Sequence, residues 1–138
     1  MSHSTQPYAQ KDYEPTSHPF KVYCVMENNQ LLIRACFCIT KTTFVPITFI
    51  LDSGLGGDLY LSTTALHTLE KHQILSYDHK QEPYINLANM FNADVHNTPN
   101  HLPGKINAIG VRAMAKLGGF TLDPVHGLRL NNHSLHYF

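Results

Sequence analysis

The feature that most constrains this chain is the stretch Phe49-Ile50-Leu51-Asp52-Ser53-Gly54. It reads as an apolar strand that leads directly into an aspartate, a hydroxyl residue and a glycine. A carboxylate at the end of a buried strand is costly unless it accepts hydrogen bonds or shares a proton. Carboxylates in such settings are often catalytic, so Asp52 is a candidate catalytic residue. An ordinary turn, in which the aspartate side chain caps the backbone, would give the same string.

The pattern of apolar residues and turns predicts a mostly β chain with one or two short helices. Strands are expected over residues 21–26, 31–40, 44–51, 73–77, 84–88 and 106–109, and a closing hairpin over 120–122 and 128–130. Ser62 is expected to cap a helix over 63–72, with Ala65, Leu66 and Leu69 as its apolar stripe. A second helix is expected over 111–117, ending at Gly118-Gly119.

Length and composition predict a single domain, because 138 residues with 43% hydrophobic content can bury one core. Residues 1–18 are polar and without apolar periodicity, so we expect a flexible N-terminal arm ahead of a domain over 19–138. Lysine plus arginine equals aspartate plus glutamate at ten each, which predicts neither a nucleic-acid partner nor a membrane partner.

The same chain carries no pattern of a signal peptide or of a membrane span. Its three cysteines form no even disulfide framework, so a cytoplasmic or other reducing compartment is expected. Cys36 and Cys38 would share one face of a strand, either as small core residues or as a metal pair. The ten histidines show no zinc-type spacing; His67 and His72, for example, lie five apart. We expect no bound metal and no cofactor.

A second group of motifs follows Asp52 by about half a domain. Ala108-Ile109-Gly110 is an apolar pair with a glycine 58 positions after Asp52, and the second helix, its glycine pair and the closing hairpin come next. Together with Asp52-Ser53-Gly54, these elements resemble the retropepsin-like aspartic proteases, the family of retroviral-type single-domain enzymes. The resemblance covers about residues 20 to 130.

The resemblance implies a closed β-barrel, half of a two-lobed acid protease, that works as a homodimer on polypeptide substrates. The chain holds one Asp-Ser/Thr-Gly, so the second carboxylate would be Asp52 of another copy. The two carboxylates would share one proton, one acting as base on a water while the other donates to the scissile carbonyl. Mildly acidic pH would favour that state. Ser53 would lock the two loops together, and Gly54 would let the backbone approach the substrate.

The resemblance also suggests a substrate pocket and a flap. The pocket candidates are Leu55, Gly56, Gly57 and Ile109. Leu55 stands where the viral enzymes usually have alanine or serine, which would reshape the pocket. Family flaps are commonly glycine-rich, yet no glycine occurs between Gly57 and Gly104. The favoured flap tip is Tyr77-Asp78-His79-Lys80, and the other candidate is Asn89-Met90-Phe91-Asn92.

Two other functions stay open at the level of the sequence. One is a catalytically inactive domain of the same fold that serves as a dimeric protein-binding or assembly module. The other is a metal- or redox-responsive module that uses Cys36, Cys38 and the histidines. Replacing Asp52 should abolish peptide cleavage if the chain is a protease, and it should remove no activity if the chain has either of the other two functions.

Overall fold

The structure is a computed structural model that describes residues 10–98 and 106–138. This part is mostly β, as predicted, with ten strands and two short helices. In chain order these are β1 (Tyr23–Glu27), β2 (Gln30–Cys38), β3 (Phe44–Leu51), β4 (Leu59–Leu61), α1 (Thr63–Lys71), β5 (Ser76–Tyr77), β6 (Pro83–Leu87), β7 (Phe91–Asn97), β8 (Asn107–Ile109), α2 (Val111–Lys116), β9 (Phe120–Asp123) and β10 (Gly127–Leu130). Within the described ranges, neither helix has the length and apolarity needed to cross a membrane.

Eight strands form one mixed sheet in the order β1-β2-β3-β8-β4-β7-β6-β5. β3 lies between antiparallel β2 and parallel β8. β4 then pairs antiparallel with β8 and parallel with β7. Most side chains of β3 are buried, which explains why its sequence is a nearly continuous apolar run rather than an alternating one. An interior strand of the sheet, paired on both sides, thus leads into Asp52.

The sheet is open, so the predicted closed barrel is wrong. In the described chain, the edge strands β1 and β5 pair only with β2 and β6 and not with each other. Closure fails for two reasons. β5 has only two residues, too few for a ladder with a distant strand. The outer side of β1 instead packs beside β10 of the separate two-stranded hairpin.

α1 begins at the predicted cap Ser62, and α2 ends at the predicted glycine pair. The Ser62 hydroxyl accepts a hydrogen bond from the N–H of Ala65 at 3.1 Å, which satisfies one of the unpaired donors of the first turn of α1. Ala65 and Leu69 are buried against the sheet. After α2, Gly118 and Gly119 adopt φ values of +103° and +83°, a left-handed conformation that glycine reaches without strain.

The segment predicted to be a flexible arm is packed along β3 over its described part. Residues 12–16, here called the N-terminal strap, extend the sheet locally. Thr16 and Phe44 exchange backbone hydrogen bonds of 2.7 and 2.9 Å, and the N–H of Tyr13 donates to the carbonyl of Pro46 at 2.9 Å. Pro46 has no N–H to donate to a neighbouring strand, and the N-terminal strap binds only the carbonyl of Pro46. The first nine residues lie outside the described part.

Candidate active site

The two sequence signatures meet at one end of the sheet. β3 and β8 run parallel, with Leu51 opposite Ile109, so both strands end at the same edge. β3 continues into Asp52, and β8 continues into Gly110. The N–H of Asp52 donates to the carbonyl of Ile109 at 3.0 Å. We call residues 52–58 the Asp52 loop.

The Asp52 side chain closes a tight turn at the start of this loop. Its Oδ1 atom accepts the N–H of Gly54 at 2.9 Å, and its carbonyl accepts the N–H of Leu55 at 3.2 Å. Asp52 is half-buried, whereas Ser53 and Gly54 are exposed. Over the residues that the structure describes, Asp52 makes no ion pair. The chain thus presents the Asp52 carboxylate in a turn at its surface.

Gly110 is the point at which the Asp52 loop and α2 touch backbone to backbone. A Cβ on Gly110 would lie 2.1 Å from the carbonyl oxygen of Gly57 and 2.8 Å from that of Leu55. Two hydrogen bonds of 2.9 Å cross the same contact, from the N–H of Gly110 to the carbonyl of Asp58 and from the N–H of Val111 to the carbonyl of Leu55. Glycine is needed here because of this close approach, not because of its backbone angles, since φ is −82°.

The four pocket candidates divide into two groups. Leu55 is 9% exposed and Ile109 is fully buried, so both side chains belong to the interior of the protein. Gly56 is exposed and Gly57 is half-buried. Of the four candidates, only these two glycines lie at the surface of the chain, where they could contact another molecule.

The favoured flap residues form a hairpin turn without glycine. The Oδ1 atom of Asp78 accepts the N–H groups of Lys80 and Glu82 at 2.8 and 2.9 Å. Gln81 adopts a φ of +64°, and its N–H donates to the carbonyl of Asp78 at 2.9 Å. The aspartate side chain therefore organises the turn between β5 and β6. The other candidate is the tighter turn between β6 and β7, where Ala88 and Asn89 adopt φ values of 55° and 57°.

A groove lies between α1, the β5–β6 hairpin and β7. Its volume is about 390 Å³. One wall is closed by the Tyr77 hydroxyl, which donates to Glu70 Oε2 at 2.9 Å, and this hydrogen bond raises the pKa of Tyr77. His96 lines the other side of the groove, and its Nε2 atom also lies 2.9 Å from where a Cβ on Gly57 would be. His96 thus lies between this groove and the Asp52 loop.

Sequence reasoning missed a set of polar residues that anchors the end of the Asp52 loop. This polar cluster consists of Asp58, Tyr60, Asp94, His96 and Lys116. Asp58 and Asp94 each accept the backbone N–H of the other, at 3.0 and 2.9 Å. The Asp58 side chain is only 2% exposed, and Lys116 Nζ compensates its charge at 3.2 Å. A buried carboxylate needs such partners.

Tyr60 and His96 complete the polar cluster above Gly57. The Tyr60 hydroxyl accepts the N–H of Gly57 at 2.9 Å. The Tyr60 ring stacks on the His96 ring, with centroids 5.1 Å apart and an angle of 27° between the planes. His96 Nε2 lies 2.8 Å from Asp94 Oδ1. In β7, the alternation of Asp94 and His96 with buried Ala93 and Val95 was the sequence signal that could have revealed the strand.

The cysteines and histidines do not gather into a metal site in the described ranges, which hold no group of three or more potential ligands. Cys36 is buried, as a small core residue would be, but Cys38 is exposed, contrary to the prediction for it. Burial raises the pKa of the Cys24 thiol to about 11.

Comparison with models of protein families, with curated proteins and with solved structures found no match for this chain. The family resemblance therefore depends on the motifs of the sequence alone.

Proposed function

We propose that the chain is an aspartic endopeptidase whose active site forms between two copies, each contributing Asp52. The observation that carries the proposal is the junction that follows β3 and β8, where two backbone hydrogen bonds from Gly110 and Val111 hold the Asp52 loop at Asp58 and Leu55. A turn that only reversed the chain would not require a glycine at the start of a neighbouring helix, 58 positions after the aspartate. This junction needs one, because a Cβ would collide with the loop.

The surface position of the turn supports a site shared between subunits. Peptide hydrolysis by this route needs two carboxylates close enough to share a proton, and one subunit presents one in this turn. Ser53 and Gly54 are exposed beside Asp52, so a second copy could approach them. We assign Ser53 to the contact between the two loops, and Gly54 to the approach of the substrate backbone.

The reaction follows from the shared proton. The ionised carboxylate takes a proton from a water molecule as the water oxygen bonds to the scissile carbonyl carbon. The protonated carboxylate donates to the carbonyl oxygen, giving a tetrahedral diol. The carboxyl that took the proton from water then gives it to the amide nitrogen, and the other carboxylate takes a proton from a hydroxyl of the diol. The C–N bond breaks, the products are a carboxylic acid and an amine, and the pair again holds one proton. No cofactor is consumed.

The test is Asp52→Asn, which keeps the shape of the side chain but cannot act as a base. A library of extended apolar peptides is digested at pH 4 to 7, and cleavage is followed by mass spectrometry. We expect a loss of roughly a thousandfold, within the range that positioned acid–base groups supply. The matched control is Asp123→Asn, because Asp123 also caps a turn, accepting the N–H of Val125 at 2.9 Å.

Two results would refute the proposal. One is full activity in Asp52→Asn. The other is a wild-type dimer that cleaves no peptide and whose Asp52→Asn variant is at least as stable as the wild type. The second result would support the dimeric protein-binding domain, since removing two like charges from an interface stabilises it.

A further inference from the structure

Two consecutive backbone donors of the Asp52 loop are held by side chains rather than by backbone. The N–H of Gly57 donates to the Tyr60 hydroxyl, and the N–H of Asp58 donates to Asp94 Oδ1, both at 2.9 Å. His96 contacts both acceptors, one through ring stacking and the other through Nε2. A single side chain therefore fixes the orientation of two anchors of the loop.

On the opposite side of the loop, the contacts are with α2. There, the carbonyls of Leu55 and Asp58 accept backbone N–H groups of Val111 and Gly110, and Lys116 pairs with the Asp58 carboxylate. None of these contacts involves His96. The two side-chain anchors that His96 touches instead join Gly57 and Asp58 to Tyr60 of β4 and Asp94 of β7.

The proton on His96 is fixed by its partner. An ionised carboxylate only accepts hydrogen bonds, so Nε2 carries a hydrogen in either charge state of the ring. Arg112 Nη1 lies 3.8 Å from the other oxygen of Asp94. Among the other polar residues that line the groove, Glu70 and Tyr77 contact each other.

We propose that His96 is a positioning residue of the Asp52 loop. The part of this inference that concerns catalysis rests on the proposed function. Its described contacts are with Asp94 and Tyr60 and not with Asp52. By holding Tyr60 and Asp94 in place, it fixes the end of the loop whose start carries the catalytic carboxylate. A shift of about 1 Å in such a carboxylate is enough to lower the rate roughly a hundredfold.

The test uses two variants of His96 and one control. His96→Phe keeps the ring on Tyr60 but loses the hydrogen bond to Asp94, whereas His96→Gln keeps a donor but loses the stacking. His67→Phe is the matched control, because His67 lines the same groove from α1. The readouts are hydrogen exchange of the Gly57 and Asp58 amides by NMR, and kcat and KM for peptide cleavage.

We expect amide exchange at Gly57 and Asp58 to rise roughly tenfold in His96→Phe, the effect of one lost hydrogen bond to a charged group. We expect kcat to fall with little change in KM, and His96→Gln to recover part of both effects. His67→Phe should change neither the exchange nor the kinetics. A role in general stability would instead raise exchange throughout the sheet.

The outcomes separate this inference from the proposed function. Unchanged exchange at Gly57 and Asp58 in His96→Phe would overturn the inference, whatever the activity. Faster exchange with unchanged kcat would also overturn it. Absence of cleavage by the wild type would refute the proposed function, and with it the catalytic part of the inference; the exchange data would still decide whether His96 positions the loop.

Discussion

Gly110→Ala tests the contact that joins the two halves of the candidate site. The added Cβ would lie 2.1 Å from the carbonyl oxygen of Gly57, where an ordinary carbon–oxygen contact is about 3.4 Å. Both atoms belong to backbone, so no side chain can rotate away. α2 and the Asp52 loop must separate by roughly 1 Å.

The cost of that separation has two parts. Inserting one methyl group into a closed contact costs about 1 to 3 kcal/mol. The separation also strains the hydrogen bonds that Gly110 and Val111 donate across the contact, each worth about 1 kcal/mol. We therefore expect the free energy of unfolding to fall by about 3 kcal/mol, which corresponds to a decrease in Tm of roughly 10 °C for a chain of this size.

The assay is urea and thermal unfolding of Gly110→Ala beside Gly56→Ala, both at the same protein concentration because the proposed dimer would gain stability with concentration. Gly56 is the matched control, since a Cβ there would meet no atom within 4 Å. Gly56→Ala should change the free energy of unfolding by less than about 0.5 kcal/mol. If Gly110→Ala unfolded within 0.5 kcal/mol of the wild type, the steric reasoning about the junction would be wrong.

Three further changes test other parts of the structure. Asn107→Leu should cost about 3 kcal/mol in urea unfolding, because the buried N–H of Ser62 loses its 2.9 Å acceptor. Lys116→Met should cost roughly 1 to 2 kcal/mol, since it leaves the carboxylate of Asp58 buried without its cation; an unchanged midpoint would contradict this. Burial raises the pKa of Cys24 from 9.0 to about 11, so the fold favours the neutral thiol. Its contribution to stability is complete below pH 9 and is lost as pH rises to 11. The Tm of Cys24→Ala should therefore fall less than that of the wild type between pH 9 and pH 11. Equal decreases in Tm would refute the raised pKa of Cys24.

The sequence predicted those elements that carry a strong local signal. β3 was predicted with the bounds 44–51 because it is a continuous apolar run between polar turns, and α1 because Ser62 is a strong cap. β4 has three residues and was missed because it is too short for a periodic pattern. β7 was missed because its polar residues obscured the alternation with Ala93 and Val95.

Properties that depend on distant parts of the chain could not be read from the sequence. Closure of the sheet depends on whether its edge strands can pair, and the shortness of β5 was not visible in the pattern. The burial of Leu55 and Ile109 likewise follows from how the Asp52 loop folds over β8. The polar cluster joins residues 36 positions apart, such as Asp58 and Asp94, which no local pattern links.

The most direct test of the shared site is a mixing experiment with wild-type and Asp52→Asn chains. The two are refolded together with a ninefold excess of the variant, and cleavage is measured per wild-type chain. If each site needs Asp52 from both subunits and partners assort at random, only about one tenth of the wild-type chains find a wild-type partner. The account predicts that activity per wild-type chain falls to about that fraction. Undiminished activity would contradict it, because it would show that one chain holds a complete site.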